Sequence, residues 1–365
     1  MRPAGLYHRY ARFLPAIGGA GPLDLGQGFT PLVQSRSIGP QAGIADLRFK
    51  LEGLNPTGSY KDRFAGLAIG LARAAGISEC VATSSGNTGA ALAGFCAAAG
   101  MRCTLYVSEN APAGKLEQML AYGATVYCVE RFTLDAEESV RIVAVLRAEA
   151  AARGLELQVT AYAACPVPME GIKTLAYELH EQVPDVSDVF LPVGGGGLHV
   201  AVSRGFADLA GEGSLARSPR MHAVQPAGND TVVTPLRSGA AKARAVSTST
   251  SISGLGVAHV LDGTVVMGHA RATGGQGYLI DEDGIRAVQR RLAAEEGILV
   301  EPAGAVAVAG ALDAAARGEL PATSGPVVCV LSGHGFKDPA TMRAMGAVSG
   351  AHRIARADIP ASLAR

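Results

Sequence analysis

The 365-residue sequence has no tryptophan and few charged residues, which make up 18% of the chain. Its 32 lysines and arginines balance 32 aspartates and glutamates, so the formal net charge is zero. This balance gives no electrostatic reason to expect nucleic acid or an anionic membrane as a partner. The sequence also lacks the run of about 18 apolar residues that a membrane span needs and the continuous apolar stretch of a signal peptide. We therefore expect a soluble cytoplasmic protein.

Cysteines at metal-binding or redox spacing are missing as well. The sequence has no C-x-x-C pair, and its six cysteines lie mostly in apolar, strand-like or helix-like segments: Cys80, Cys96, Cys103, Cys128, Cys165 and Cys329. This pattern indicates neither a zinc site nor a disulfide framework. Buried, reduced thiols and no bound metal are the simpler interpretation.

Short apolar runs alternate along the chain with Ala- and Leu-rich segments of helical period. Strands are predicted at residues 46–52, 79–85, 102–108, 124–130, 188–195, 221–226 and 326–333, and helices include residues 87–100, 114–123 and 169–183. This alternation predicts βαβ units and an α/β fold of mostly parallel sheets flanked by helices. The length is enough for two domains. Residues 227–280, rich in Gly, Ser and Thr, are expected to form an irregular loop region.

Four consecutive glycines in "PVGGGGLHV" follow a predicted strand and precede a predicted helix: Gly194, Gly195, Gly196 and Gly197. Their N–H groups are unobstructed and their backbone tolerates positive φ, which suits a phosphate at a helix N-terminus. The pattern is neither a dinucleotide fingerprint nor a P-loop. A flexible turn between strand and helix is the alternative.

Two further polar clusters follow predicted strands. "TSSGNTG" at residues 83–89 brings together hydroxyls, an amide and helix N–H groups, which suits a substrate carboxylate, although ordinary N-capping by Ser85 or Asn87 is the alternative. In "LSGHGFKD" at residues 331–338, Ser332 stands at the end of a strand. His334 is interpreted as a loop residue that makes a structural hydrogen bond, with a catalytic role as the alternative. Glu301 begins another helix, where the helix dipole is a sufficient reason for its charge.

Lys61 in "NPTGSYKDR" opens an otherwise apolar helix. A neutral lysine amine forms a Schiff base with an aldehyde, and desolvation favours the neutral amine. Together with a phosphate-binding loop, this chemistry fits pyridoxal 5'-phosphate (PLP). Asp62 and Arg63, directly behind it, are interpreted as solvated helix-end charges held in local pairs.

The order of the motifs "GFTPLV", "NPTGSYKDR", "SSGNTGAALAGFCAAAG", "EGIKTLAYEL", "PVGGGGL", "VEPAGAVA" and "LSGHGFKDP" resembles fold-type II PLP enzymes from about residue 26 to 340. The resemblance is to the threonine synthase group, which includes threonine/serine dehydratases and cysteate synthase. It implies a two-domain, tryptophan synthase β-like fold and a homodimer. Residues 1–165 would contain the Schiff-base lysine and a smaller mobile subdomain at about 80–160. Residues 166–365 would form the larger domain that binds the cofactor phosphate.

The resemblance also implies roles for individual residues. Lys61 would carry the cofactor and act as general acid and base, and Ser332 would face the pyridine nitrogen. The substrate carboxylate would bind Ser84, Ser85, Asn87 and Thr88, with Asn87 also contacting the ring 3′-oxygen. Gly194, Gly195, Gly196 and Gly197 would hold the phosphate. Because a serine does not keep the ring nitrogen protonated, elimination or replacement at Cβ or Cγ is the expected chemistry.

One stretch departs from the threonine synthase pattern. In "YAACPVPMEGIKT", Ala163, Cys165 and Pro168 stand near the positions where the group has residues that help bind the phosphate of O-phosphohomoserine. Lys115 and Lys173 would compensate in part unless they are surface lysines. The expected function is therefore a threonine synthase-like lyase acting on O-phosphohomoserine or a related amino acid. A threonine/serine or 2,3-diaminopropionate ammonia-lyase is the alternative, and a noncatalytic scaffold would not need all of these motifs.

Overall fold

The computed structural model describes residues 5–18, 21–109, 111, 113–132, 136–320, 325–347, 351, 353, 355 and 356. The strands in this part of the chain are β1 (Leu32–Gln34), β2 (Leu47–Leu51), β3 (Glu79–Thr83), β4 (Arg102–Ser108), β5 (Thr125–Val129), β6 (Leu157–Gln158), β7 (Asp188–Pro192), β8 (Arg220–Pro226), β9 (Gly277–Ile280) and β10 (Val327–Leu331).

The α-helices of the same residues are α1 (Leu6–Arg9), α2 (Ile38–Gln41), α3 (Lys61–Ala74), α4 (Asn87–Ala99), α5 (Ala113–Ala121), α6 (Ala136–Ala152), α7 (Pro166–Met169), α8 (Thr174–Gln182), α9 (Gly197–Gly211), α10 (Val233–Arg237), α11 (Gly263–Thr273), α12 (Glu282–Glu296), α13 (Pro302–Ala316) and α14 (Pro339–Ala347). Short 3₁₀ helices lie at Ala11–Phe13, Glu52–Leu54, Glu170–Lys173, Ala227–Asn229 and Gly335–Lys337. Within the described residues, no helix has the length and apolarity needed to span a bilayer.

The strands form two sheets. The larger has the order β1-β2-β10-β7-β8-β9, and all of its pairs are parallel except β1 with β2. The smaller has the order β5-β4-β3-β6 and is parallel throughout. The α/β fold with mostly parallel sheets is therefore confirmed. The larger sheet includes β1 and β2 from the start of the chain, whereas the smaller is built from residues 79–158. The division of the chain into two domains at residue 165 stays a prediction.

Burial explains why the central strands are continuous apolar runs. Every residue of β7 and β10 is buried, because helices cover both faces of a parallel sheet. The alanine-rich α13 packs against both of these strands and against α12. The strands consequently end in loops at one edge of the sheet, beside the N-termini of the following helices.

All seven predicted strands are present. The expectation of an irregular region at residues 227–280 is wrong in part, because α10, α11 and β9 lie within it. In α11 the apolar residues Val266, Met267 and Ala270 are buried at helical spacing against the larger sheet. The glycine and threonine content of this helix masked that period in the sequence.

Candidate active site

One cavity of about 360 Å³ lies where the strand ends of both sheets meet the first turns of α3, α4, α9 and α13. The parallel strands direct their following loops to this edge, as expected for an α/β fold. The cavity is lined by every residue predicted to bind the cofactor or the substrate: Lys61, Ser84, Ser85, Asn87, Thr88, Gly194, Gly195, Gly196, Gly197 and Ser332. Motifs that are up to 271 residues apart in the chain, counted from Lys61 to Ser332, thus share one space.

Lys61 is the first residue of α3, and its side chain borders this cavity. Its Nζ lies 2.5 Å from Oγ1 of Thr160, to which it donates a hydrogen bond. Burial lowers the pKa of Lys61 from 10.5 to about 7, and the nearby carboxylate of Glu301 opposes part of that effect. A large fraction of the amine is therefore neutral and nucleophilic near neutral pH.

The glycine loop lies at the N-terminus of the 15-residue helix α9. Gly196 has a φ of +92°, in the left-handed region that favours glycine. A Cβ on Gly194 would lie 2.2 Å from the carbonyl oxygen of Gly254, so only glycine fits there, whereas a Cβ on Gly195 would meet no atom within 4 Å. The loop therefore offers an open backbone surface at a helix N-terminus, where an anion is stabilised.

A buried carboxylate joins two elements across the cavity. Glu301, at the N-cap of α13, accepts a 2.7 Å hydrogen bond from Nδ2 of Asn87, the first residue of α4. Its other oxygen lies 3.5 Å from Nζ of Lys115, which also donates to Oγ of Ser253 at 2.9 Å. Oδ1 of Asn87 is buried and has no hydrogen-bond partner among the described residues. An incoming group that donates a hydrogen bond would satisfy it.

Hydroxyl groups line the rest of the cavity wall. Oγ1 of Thr88 lies 3.0 Å from Oγ1 of Thr160, a residue that sequence reasoning did not single out. Ser84 and Ser85 lie in the loop between β3 and α4, and Ser332 is buried directly after β10. The lining thus combines hydroxyl and amide groups with two lysines, one carboxylate and the imidazole of His259.

Four features of the site fit PLP: the largely neutral amine of Lys61, the open glycine loop for a phosphate, the Asn87 amide with its unpaired Oδ1, and the buried hydroxyl of Ser332 in the same lining. The comparisons with known proteins decide the matter. The family model described as "Pyridoxal-phosphate dependent enzyme" matches residues 23–333. The chain belongs to this family.

Relatives within the PLP-dependent family are similar over most of the chain. Threonine synthase of Methanocaldococcus jannaschii is 32% identical over 339 residues, covering 91% of this chain and 80% of that protein. Threonine synthase of Synechocystis sp. is 33% identical over 339 residues, covering 92% of this chain and 84% of that protein. The chain is therefore a PLP-dependent lyase.

Solved structures show the same fold. Maize serine racemase superimposes with a TM-score of 0.71 at 25% identity, covering 87% of this chain and 91% of that chain. The T.th. threonine deaminase superimposes with a TM-score of 0.66 at 26% identity, covering 84% of this chain and 92% of that chain. The fold-type II assignment is confirmed.

Two expectations about charged residues are wrong for this PLP-dependent enzyme. Asp62 and Arg63 are fully buried instead of solvated: Asp62 accepts a 2.6 Å hydrogen bond from the N–H of Thr57, and Arg63 pairs with Glu52 at 2.7 Å and Glu178 at 2.6 Å. Thus the charges behind Lys61 anchor α3 in the core.

The contacts of Glu301 were missed, and the alternative that Lys115 is a surface lysine is wrong. Glu301 is more than a charge at a helix start, and Lys115 is a cavity residue rather than a surface lysine. Along the chain, Glu301 lies 214 residues from Asn87 and 186 residues from Lys115. No local pattern in the sequence therefore indicates these contacts.

The remaining residues lie outside the lining of the cavity. His334 accepts a 3.2 Å hydrogen bond from the N–H of Phe336, which confirms its structural interpretation. Lys173 is buried and pairs with Asp208 at 2.7 Å. Ala163, Cys165 and Pro168 also lie outside the wall, where Thr160 and Ala161 stand instead.

Proposed function

We propose that this PLP-dependent lyase is threonine synthase-like and acts at Cβ or Cγ of an amino acid with an anionic leaving group, O-phosphohomoserine or a close relative of it. The observation that carries this proposal is the position of Lys115. Apart from Lys61, it is the one lysine or arginine side chain that lines the cavity among the described residues. A cation at this depth favours a substrate with a second negative charge besides its carboxylate.

We also propose roles for the cavity residues. PLP, when bound, supplies an aldehyde and an electron-withdrawing ring. Lys61 would join the cofactor and afterwards move the proton at the substrate Cα, a task that suits an amine with a pKa of about 7. Asn87 would donate the second N–H of its Nδ2, which already donates to Glu301, to the ring oxygen, and Ser332 would face the ring nitrogen.

Anion binding would be divided between the two loops. Gly194, Gly195, Gly196 and Gly197 would hold the cofactor phosphate at the N-terminus of α9. Ser84, Ser85, Asn87 and Thr88, at the N-terminus of α4, would hold the substrate carboxylate. The Lys115 amine would then meet the leaving group at the far end of the substrate.

Ser332 bears on the type of reaction. A neutral hydroxyl does not hold a proton on the ring nitrogen as a carboxylate partner would. Charge at Cα is then stabilised less by the ring, which favours elimination or replacement at Cβ or Cγ over transamination. This expectation is independent of which leaving group occupies the cavity.

The second candidate function is a threonine/serine or 2,3-diaminopropionate ammonia-lyase. The likeness to a threonine deaminase at 26% identity favours it, as do the replacements at Ala163, Cys165 and Pro168. In that case Lys115 would form the ion pair with Glu301 and would not contact the substrate.

A substrate panel separates the two candidates. The purified holoenzyme is incubated with O-phosphohomoserine, threonine, serine, phosphoserine and 2,3-diaminopropionate, and threonine, 2-oxo acids, ammonia and phosphate are measured. Phosphate and threonine released from O-phosphohomoserine would support the proposal. Oxo acid and ammonia from threonine, serine or 2,3-diaminopropionate, with no phosphate released from either phosphorylated substrate, would overturn it in favour of the ammonia-lyase.

Assembly and location are proposed as well. Leu54 and Phe336 expose 57% and 67% of their surface beside a shallow apolar cavity of about 260 Å³ lined by Leu54, Leu299 and His334, which supports a homodimer. We propose that the small sheet and its helices, about residues 80–160, move as a unit over the cavity.

The proposed location is the cytoplasm, which the six free thiols support.

A further inference from the structure

The hydroxyl of Thr160 is hydrogen-bonded to the Lys61 amine. Its Oγ1 accepts the 2.5 Å hydrogen bond from Lys61 Nζ and lies 3.0 Å from Oγ1 of Thr88. A hydroxyl has two lone pairs and one proton, so Thr160 can accept from Lys61 while it exchanges a hydrogen bond with Thr88. The amine is thereby held at one point of the cavity wall, 4.7 Å from the ring centroid of Tyr60.

Thr160 itself is held in place by a carboxylate from another part of the chain. It follows the two-residue strand β6 and precedes an irregular turn. Within that turn the N–H groups of Tyr162 and Ala163 donate to the two oxygens of Asp262, at 2.8 and 3.1 Å. Asp262 is 2% exposed, so these hydrogen bonds are shielded from water.

Asp262 also contacts the glycine loop. Its own N–H donates to the carbonyl oxygen of Gly195 at 3.3 Å, and it stands at the N-cap of α11. A Cβ on Gly197 would lie 3.0 Å from the carbonyl oxygen of Thr160 and 3.5 Å from Oδ2 of Asp262. The glycine loop, the turn after β6 and α11 are therefore packed as one unit around this carboxylate.

We propose that Thr160 is a positioning residue that holds the free amine of Lys61, and that Asp262 fixes Thr160 by binding the turn that follows it. The hydrogen bond orients the amine whenever Lys61 is not joined to the cofactor. Its significance for turnover rests on the proposed function, in which Lys61 moves the proton at Cα. The contact itself does not depend on that function.

Other charged groups also face this amine and act with Thr160. Glu301 at the start of α13 favours the charged ammonium, and Lys115 on α5 lines the same cavity. His259, in the loop before α11, lines the same cavity. A substitution at Thr160 leaves these groups in place. The change in the pKa of Lys61 then measures the effect of the Thr160 hydroxyl alone.

The test measures the pKa of Lys61 directly. Cofactor-free protein is labelled with acetic anhydride at pH values from about 5 to about 10, and the acetylated fraction of Lys61 is read by peptide mass spectrometry. Thr160→Val removes the acceptor that stabilises the ammonium, so we expect the pKa of Lys61 to fall by about 0.5–1 pH unit. Thr160→Ser keeps the hydroxyl, so the pKa of Lys61 in this variant should equal that of the wild type.

Asp262 is tested by the same labelling. Asp262→Ala should shift the pKa in the same direction as Thr160→Val, and the double variant should show no further shift, because both act through one contact. Thr88→Val, which removes a neighbour of Thr160 but not the acceptor itself, is the matched control and should shift it less. If Asp262→Ala does not fold, the Thr160→Val and Thr160→Ser pair decides the role of Thr160.

Turnover gives a second readout. With the substrate that the panel identifies, Thr160→Val should lower kcat at least about tenfold and leave KM within about twofold, since it affects proton movement and not substrate affinity. An unchanged Lys61 pKa in Thr160→Val would overturn the proposal. Failure of borohydride to attach PLP to wild-type Lys61 would instead overturn the proposed function and leave the labelling result intact.

Discussion

At the scale of the residue, the decisive feature is an amine buried beside a cavity. Folding lowers the pKa of Lys61 from 10.5 to about 7. Between these two pH values the unfolded chain binds the additional proton, so the free energy of unfolding rises with pH across this window. Below pH 7 the destabilisation is complete, and above pH 10.5 it is absent.

Lys61→Met should therefore stabilise the cofactor-free protein. We expect its melting temperature to exceed that of the wild type by about 1–3 °C at pH 7, with the difference vanishing as the pH approaches 10.5. Thermal unfolding followed by circular dichroism measures it, and Lys242→Met, at an exposed lysine, is the control. An equal difference at both pH values would contradict the lowered pKa.

Lys115 carries the proposed substrate preference. Lys115→Met removes a charge-assisted contact worth about 1.5–3 kcal/mol, so KM for O-phosphohomoserine should rise about 10- to 100-fold. The visible absorbance of the bound cofactor should not change. Steady-state kinetics of phosphate release checks this prediction, with Lys242→Met again as the control. A KM within about twofold of the wild type would show that no substrate anion meets Lys115.

At the scale of the element, the glycine loop separates a packing requirement from a binding requirement. Gly194→Ala would drive Cβ into the carbonyl oxygen of Gly254, 2.2 Å away, whereas Gly195→Ala would enter open space in the cavity. We expect Gly194→Ala to lower the stability of the cofactor-free protein. Gly195→Ala should leave that stability unchanged and still weaken PLP binding, because its methyl group would occupy the phosphate position.

Melting temperatures of the cofactor-free variants and fluorescence titrations with PLP test this pair. Equal affinity for PLP in Gly195→Ala and the wild type would place the phosphate elsewhere. Equal stability of Gly194→Ala and the wild type would show that the loop moves freely to accept a methyl group. Either result is specific to one of the two glycines.

The helix behind Lys61 shows where sequence reasoning stops. The sequence pattern of α3 predicts its start at Lys61 correctly, but it does not predict that Arg63 is fully buried. Its guanidinium lies between Glu52 and Glu178, the second of which also pairs with Lys50 at 2.7 Å. These partners come from three different elements, and only tertiary packing brings them together.

At the scale of the whole molecule, the sequence predicts the longer strands from their hydrophobic period and the cavity from the position of the strand ends. The seven strands of five to seven residues are predictable because each is an apolar or alternating run in the sequence, although β5 is largely exposed. The strands β1, β6 and β9 have three, two and four residues, too few for a period to show. The strand-end rule also located the cavity, whereas Thr160 and Asp262 follow no motif.

The proposed homodimer is a prediction at this scale. Light scattering should give twice the mass of the 365-residue chain, and Leu54→Arg with Phe336→Arg should give the monomer, because charges at these exposed apolar positions oppose burial. Val140→Arg with Val145→Arg, at exposed apolar residues of α6, is the matched control. A wild-type protein that is monomeric at micromolar concentration would contradict the dimer.

The central claim is that Lys61 carries the cofactor, and borohydride reduction tests it most directly. A competing buried lysine exists: Lys337 has a pKa lowered to about 8 by burial, but its Nζ is bound to the carbonyl oxygen of Thr57 at 2.8 Å and to Gln118 at 2.6 Å, outside the cavity lining. The holoenzyme is reduced, digested and mapped by mass spectrometry. We predict the cofactor adduct on the peptide that contains Lys61 and no visible absorbance in Lys61→Ala. An adduct on Lys337 or Lys115, or an unaltered spectrum in Lys61→Ala, would contradict the account.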